Sequence, residues 1–185
     1  MKSKVTSLEA LLRVVDKMRE NGKCIVFTNG CFELLHIGHV GYLQAARSLG
    51  DVLVVGLNSD VSVRTIKGLP RPLVPEAERA ELLAALECVD FVIVFGEPTA
   101  ENLVAVLRPD IYVKGGDYKV AESKEQEGRT GAGYRPNTLP IGQKIAPEMS
   151  VVQGYGGKVV VLPYSSGHST TTLIENILQV YGQPR

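Results

Sequence analysis

His36 and His39 stand three residues apart, with Gly38 between them, in the stretch Ile25–His39 that reads IVFTNGCFELLHIGH. Side chains three apart lie on one face of a helix, so both imidazoles can address one anionic group. The run Ile25-Val26-Phe27 before them is strand-like and breaks at Asn29-Gly30, while Ile37 to Leu49 reads as a helix. The histidines therefore sit where a strand hands over to a helix. Backbone N–H groups at a helix start have no intrahelical acceptor and carry the positive end of the helix dipole. Such a place binds phosphate readily, and Gly38 allows close approach. Taken alone, the pair also fits a metal site or two packed side chains. Zinc sites on helices, however, usually space histidines at i,i+4 and need a third ligand, and the remaining histidine, His168, is remote in sequence. The expected chemistry is binding of nucleotide phosphate, with no protein-held metal.

Two further clusters suit the same chemistry. In Lys67-Gly68…Arg71-Pro72…Pro75…Arg79, two prolines hold a loop and fix where Arg71 points, and guanidinium groups suit bidentate phosphate contacts. The plain alternative is a solvated basic loop with Arg79 paired to Glu76 or Glu78. Gly167-His168-Ser169-Thr170-Thr171-Thr172 precedes the apolar run of a final helix. One of these hydroxyls serves as an N-cap, and four in a row exceed what one cap needs, which suits a phosphate grip at the same helix start. There is no Walker A loop, no GxGxxG after the first strand, no GxSxG, and no Cys/His arrangement for a covalent nucleophile.

The elements that must position these groups alternate between strand and helix. Ser7 to Arg19 carries a helical apolar stripe, capped by Thr6 or Ser7 and ended by Asn21-Gly22. Strands are expected at Lys23–Thr28, Asp51–Leu57, Asp90–Phe95, Ile111–Lys114 and Lys158–Leu162. Helices are expected from Ile37, from Ser59 or Asp60 to about Ile66, from Glu76 to about Leu86, over Thr99–Leu107, and from Ser169 to Val180. The pattern predicts a single α/β domain, a Rossmann-like doubly wound sheet of five parallel strands. Such sheets bind ligands at the carboxyl ends of their strands, near the point where strand order reverses. Thr28-Asn29-Gly30, Asn58-Ser59-Asp60 and Lys114-Gly115-Gly116-Asp117 each follow a strand directly, which puts three polar clusters on that edge. One polar, Gly-rich segment, 120–145, breaks the rhythm and is expected to be an insertion, either a lid or a plain excursion.

Composition excludes other classes. The 185 residues hold 20 Lys plus Arg against 20 Asp plus Glu, so the basic excess of a general nucleic-acid binder is missing. Cys24, Cys31 and Cys88 are odd in number and unpaired in pattern, the usage of reduced thiols. No apolar run approaches ~18 residues, and no signal-peptide pattern opens the chain. A cytoplasmic domain without a membrane partner is expected.

TNGCFELLHIGH, with its HxGH core, resembles the nucleotidyltransferase superfamily of small cytidylyl- and adenylyltransferases. NSD at 58–60, KG…RP…P…R from Lys67 to Arg79, VKGGDY at 113–118, GGKVVVLP at 156–163 and STTTLIENI at 169–177 narrow it. Together they look like the heptose 1-phosphate adenylyltransferase family, which in many bacteria forms the C-terminal half of a bifunctional ADP-heptose synthase. The resemblance implies transfer of AMP from ATP to D-glycero-β-D-manno-heptose 1-phosphate by direct attack on the α-phosphorus. It implies His36, His39 and Arg79 as catalytic residues. Thr28, Asn29, Gly30, Cys31, Phe32, Gly38, Lys114, Gly115, Gly116, Asp117, Ser169, Thr170 and Thr171 would bind nucleotide. Asn58, Asp60, Lys67 and Arg71 would lie toward the sugar phosphate. Mg²⁺ on the phosphates and a homodimer are implied as well. The polar insertion departs from the family pattern, and the heptose 1-phosphate is expected to come from a separate kinase. A sister enzyme using CTP and glycerol 3-phosphate or ethanolamine phosphate is the alternative.

Overall fold

The computed structural model describes residues 3–116, 146–163 and 170–182. Five strands form one parallel sheet: β1 (Ile25–Gly30), β2 (Val52–Asn58), β3 (Phe91–Phe95), β4 (Ile111–Gly115) and β5 (Lys158–Leu162), in the order β3-β2-β1-β4-β5. The chain winds outward from β1 through β2 to β3, then returns to the other side of β1 for β4 and β5. Strand order therefore reverses between β1 and β4. Among the described residues the helices are α1 (Leu8–Glu20), α2 (Ile37–Arg47), α3 (Asp60–Lys67), α4 (Glu76–Ala84), α5 (Glu101–Leu107), α6 (Pro147–Gly154) and α7 (Thr170–Tyr181).

Both faces of the sheet are covered, which is why β2 reads as an unbroken apolar run and is buried at every position. Alternate residues serve opposite layers. Val52 and Val54 join Phe27 and Tyr112 against Leu11 and Val15 of α1, Leu103, Val104 and Leu107 of α5, and Met149 and Val152 of α6. Leu53, Val55 and Leu57 join Val26 and Val113 against Leu43 and Ala46 of α2 and Ala80 and Leu83 of α4.

Element boundaries differ from the sequence reading in ways that matter at the site. β1 does not stop at Thr28. Asn29 and Gly30 stay in register with Gly56 and Leu57 of β2, because the neighbouring strand supplies a ladder that local turn chemistry does not anticipate. α2 ends at Arg47 with Ser48 as its C-cap, short of Leu49. α6 was not foreseen. Its signal is Pro147 at a first-turn position, followed by Met149 and Val152 three apart on the buried side. The polar stretch 120–145 lies outside the described residues.

Gly56 shows how tightly β1 and β2 meet below the site. A Cβ there would lie 2.7 Å from Phe27 Cζ and 3.3 Å from Asn29 Cβ. Gly56→Ala is expected to cost about 1–3 kcal/mol by overpacking, read as a lower denaturation midpoint in urea.

Candidate active site

The turn from β1 into α2 builds the centre of the site. Phe32 is 7% exposed and holds φ +41°, a left-handed backbone uncommon for a side chain of this size. Its ring meets His39 edge-on at 5.3 Å. His36 is the N-cap of α2 with extended backbone, φ −141° and ψ 169°, and its side chain does not cap the helix. Its carbonyl accepts from His39 N at 2.9 Å and Val40 N at 3.3 Å. The N–H groups of Ile37 and Gly38, the first two residues of α2, have no acceptor within the helix. By contrast, Ser7 and Ser59 cap α1 and α3 with their hydroxyls.

The two imidazoles stack, with centroids 3.8 Å apart and planes at 23°. Burial pushes His39 down to about 4, and the neighbouring His36 adds to the effect, while a hydrogen bond with the Leu34 backbone opposes it. His39 is thus neutral at pH 7, and its buried Nδ1 has no hydrogen-bond partner among the described residues. An anion placed there would favour the protonated ring. The linkage has a definite sign. Between about pH 6.5 and pH 4 the unfolded chain protonates this histidine and the folded chain does not, so stability falls as pH falls. After allowance for solvent screening the loss is about 2 kcal/mol across that window. His39→Gln should remove this part of the slope in pH-dependent denaturation.

Cations gather around the same turn. The Cys31 thiol is pushed up by burial, against the fields of Lys67, Arg79 and Lys114, which all reach it. Lys114, near the end of β4, is pushed down by burial, with Glu148 opposing. Its ammonium lies 3.4 Å from Asn29 Oδ1, which also accepts from Tyr112 Oη at 2.7 Å. The Asn29 amide then reaches Glu148 Oε1 at 3.4 Å. Glu148 is 3% exposed and accepts from Ala100 N at 2.9 Å, so α6 closes the start of α5 and steadies Asn29 together. Sequence reasoning missed Glu148 because it lies on the unforeseen helix.

Several expected ligand groups are bonded to other parts of the protein in this structure. Arg79 is 1% exposed. Its Nε donates to Val74 O at 2.9 Å, Nη1 to Cys31 O at 2.6 Å and Asn58 O at 2.9 Å, and Nη2 to Asp60 Oδ1 at 2.8 Å. This corrects the alternative pairing with Glu76 or Glu78, and it commits the guanidinium to protein acceptors on every nitrogen. Arg79 lies under the turn and braces it. Asn58 and Asp60 are correspondingly engaged inward. Asn58 Nδ2 donates to Ser62 Oγ at 2.9 Å, and Asp60 N donates to Glu76 Oε2 at 2.6 Å. Thr28 is fully buried, 2.7 Å from Tyr42 Oη, which itself donates to Val113 O at 3.1 Å. It ties β1, α2 and β4 together.

Arg71 and Lys67 converge on a residue the sequence did not single out. Arg71 donates through Nε and Nη2 to both oxygens of Glu33, and Lys67 Nζ lies 3.5 Å from Glu33 Oε2. Gly115 ends β4 at the same edge, and Gly116 takes φ +98° while its N–H donates to Leu162 O at 3.0 Å. Thr170 and Thr171 open α7. Asp117 and Ser169 lie outside the described residues.

Residues 27–176 match the family model described as Cytidylyltransferase-like. This chain belongs to that family. Among curated relatives, the bifunctional protein HldE of Geobacter metallireducens is 46% identical over 98% of the chain, and that of Syntrophotalea carbinolica 49% over 98%. The chain spans about a third of these relatives, 32% of their length in each case. Among solved structures, the lipopolysaccharide core biosynthesis protein of Thermoplasma volcanium is 28% identical, with a TM-score of 0.54 over 78% of this chain and 98% of that one. A pantoate-β-alanine ligase from Francisella tularensis, at 12% identity and a TM-score of 0.53 over 97% of this chain and 79% of that one, shares the fold. Among the described residues of this family member, no helix is long and apolar enough to cross a membrane.

Proposed function

We propose that this chain is a nucleotidyltransferase that moves AMP from ATP to D-glycero-β-D-manno-heptose 1-phosphate, giving ADP-heptose and pyrophosphate. The observation that carries the reading is the stacked His36–His39 pair at the uncapped start of α2, on the strand edge beside the β1/β4 reversal. The motif set shared with heptose 1-phosphate adenylyltransferases, and the likeness to HldE proteins over nearly the whole chain, supply the acceptor. An oxygen of the sugar phosphate attacks the α-phosphorus, the bond to the β-phosphate oxygen breaks, and pyrophosphate leaves without a covalent enzyme intermediate.

Catalysis of this kind is positioning and electrostatics. His36, His39 and the N–H groups of Ile37 and Gly38 stabilise charge on the transferring phosphate. Lys114 faces the nucleotide phosphates, Gly115 and Gly116 line the nucleotide, and Cys31 and Phe32 shape the turn. Asp117, Ser169, Thr170 and Thr171 complete the nucleotide grip. Arg79 braces the turn from beneath.

No group of three or more His, Cys, Asp or Glu suited to a metal occurs among the described residues, and Glu33, Asp60 and Glu148 are already bonded to protein donors. That arrangement fits Mg²⁺ carried on the polyphosphate rather than in a protein cage. Bound there, Mg²⁺ would neutralise phosphate charge. The same reading makes the chain a cytoplasmic homodimer.

Pyrophosphate release with ATP, CTP, GTP or UTP against a panel of sugar and alcohol phosphates tests the assignment. ATP with the heptose phosphate is expected to be the best pair. Turnover with CTP and glycerol 3-phosphate or ethanolamine phosphate, and none with the expected pair, would overturn it.

A further inference from the structure

Glu33 is an unexpected group at an edge built for phosphate. It is 2% exposed, and its carboxylate lies beside the turn that carries the histidine pair. An isolated buried carboxylate here would repel a polyphosphate and lose its own hydration. It is not isolated. Arg71 grips both oxygens, Leu73 N donates to Oε1 at 2.8 Å, and Lys67 Nζ stands 3.5 Å from Oε2. Burial opposes its ionisation, yet the Arg71 and Leu73 hydrogen bonds outweigh that and hold the carboxyl below its usual range.

These contacts fall at the start of the proline-rich loop joining α3 to α4 and within it. Lys67 is the last residue of α3, and Arg71 and Leu73 lie in the loop, so one side chain from the β1–α2 turn fixes three points of another connection. The two cations are not equivalent after this. Arg71 has Nε and Nη2 committed to Glu33. Lys67, at the longer distance, keeps a shared ammonium whose field reaches both Cys31 and His39. One carboxylate against two cations leaves one net positive charge beside the histidines.

We propose that Glu33 is a positioning residue for the acceptor phosphate, clamping Arg71 as a strut and presenting Lys67 as the cation that meets the incoming substrate. The inference rests on the nucleotidyltransferase reading for the identity of that substrate, while the clamp itself rests on geometry alone. Two functions divide between two like charges. Arg71 orders the loop, and Lys67 is left to exchange part of its contact with Glu33 for the sugar phosphate.

The test separates the two layers. With ATP and the heptose 1-phosphate, Glu33→Gln should raise KM for the sugar phosphate about tenfold or more, with KM for ATP within about twofold of wild type. Because Glu33 acts in part through Arg71, the Glu33→Gln/Arg71→Gln double variant should lose clearly less than the two single losses added together. Trypsin cleavage after Lys67 reads the clamp without activity and should run about fivefold or more faster in Glu33→Gln. An equal rise in both KM values, additive effects in the double variant, or unchanged cleavage would each overturn the proposal. If wild type does not turn over the heptose phosphate, it is the functional assignment that fails. The KM split is then read with the acceptor that the pyrophosphate panel identifies, and cleavage still decides the clamp.

Discussion

His39→Ala is expected to lower kcat by at least ~100-fold, the scale on which removal of one preorganised charge stabiliser acts. The expectation follows from where the ring is held. His39 is pinned between the Phe32 edge and the His36 face, one turn inside an uncapped helix start. Its ordinary basicity is suppressed by burial, so under the proposed function it would meet the nucleotide neutral and gain affinity for a proton as negative charge arrives. A group with that profile contributes most when charge on the phosphate is greatest, at the transition state, so kcat should fall more than KM rises. Steady-state kinetics of pyrophosphate release on the variant decide it. A near-normal kcat would remove His39 from the chemistry.

Arg79→Ala should be the most destabilising single change near the site, by about 3–5 kcal/mol, the range for breaking a buried charged pair. Removing the guanidinium strands the carbonyls of Cys31, Val74 and Asn58 and leaves the partly buried Asp60 carboxylate without its partner. Arg79→Lys keeps the charge but cannot span four acceptors held in separate directions, so it should recover only a minority of the loss. Chemical denaturation measures both. If Arg79→Lys instead kept full stability and raised KM for ATP alone, the residue would be a ligand contact and the bracing role would be wrong. Loss of activity in Arg79→Ala should accompany displacement of the Cys31 turn, because Cys31 O is one of the four anchors.

The two residues show how differently the chain announces its parts. The pairing of His36 with His39 was legible because it is local. Three-residue spacing, an intervening glycine and a helix start fix their mutual geometry before any long-range contact forms. Arg79 was legible as a cation in a basic cluster, but not as a buried one. Whether a guanidinium faces solvent, ligand or core depends on which carbonyls other segments bring to it, and those of Cys31 and Asn58 come from 48 and 21 residues away. Glu33 was passed over for the same reason. Nothing in CFELL tells that its carboxylate meets Arg71, 38 positions later.

Local sequence thus determined the alternation of strands and helices, the five-stranded parallel sheet, the polar clusters at strand ends and the strand-to-helix turn that carries the histidine pair. These follow from hydrophobic period, turn residues and capping, which act over a few residues. Tertiary structure alone decided which charged groups became struts within the protein and which stayed at the strand edge. Burial makes an unpaired charge too costly to keep, so each cation takes the acceptors that folding delivers. It delivered Arg79 to four protein acceptors and Arg71 to Glu33, and left Lys67 and the histidine pair at the edge where the proposed function puts the substrate phosphates.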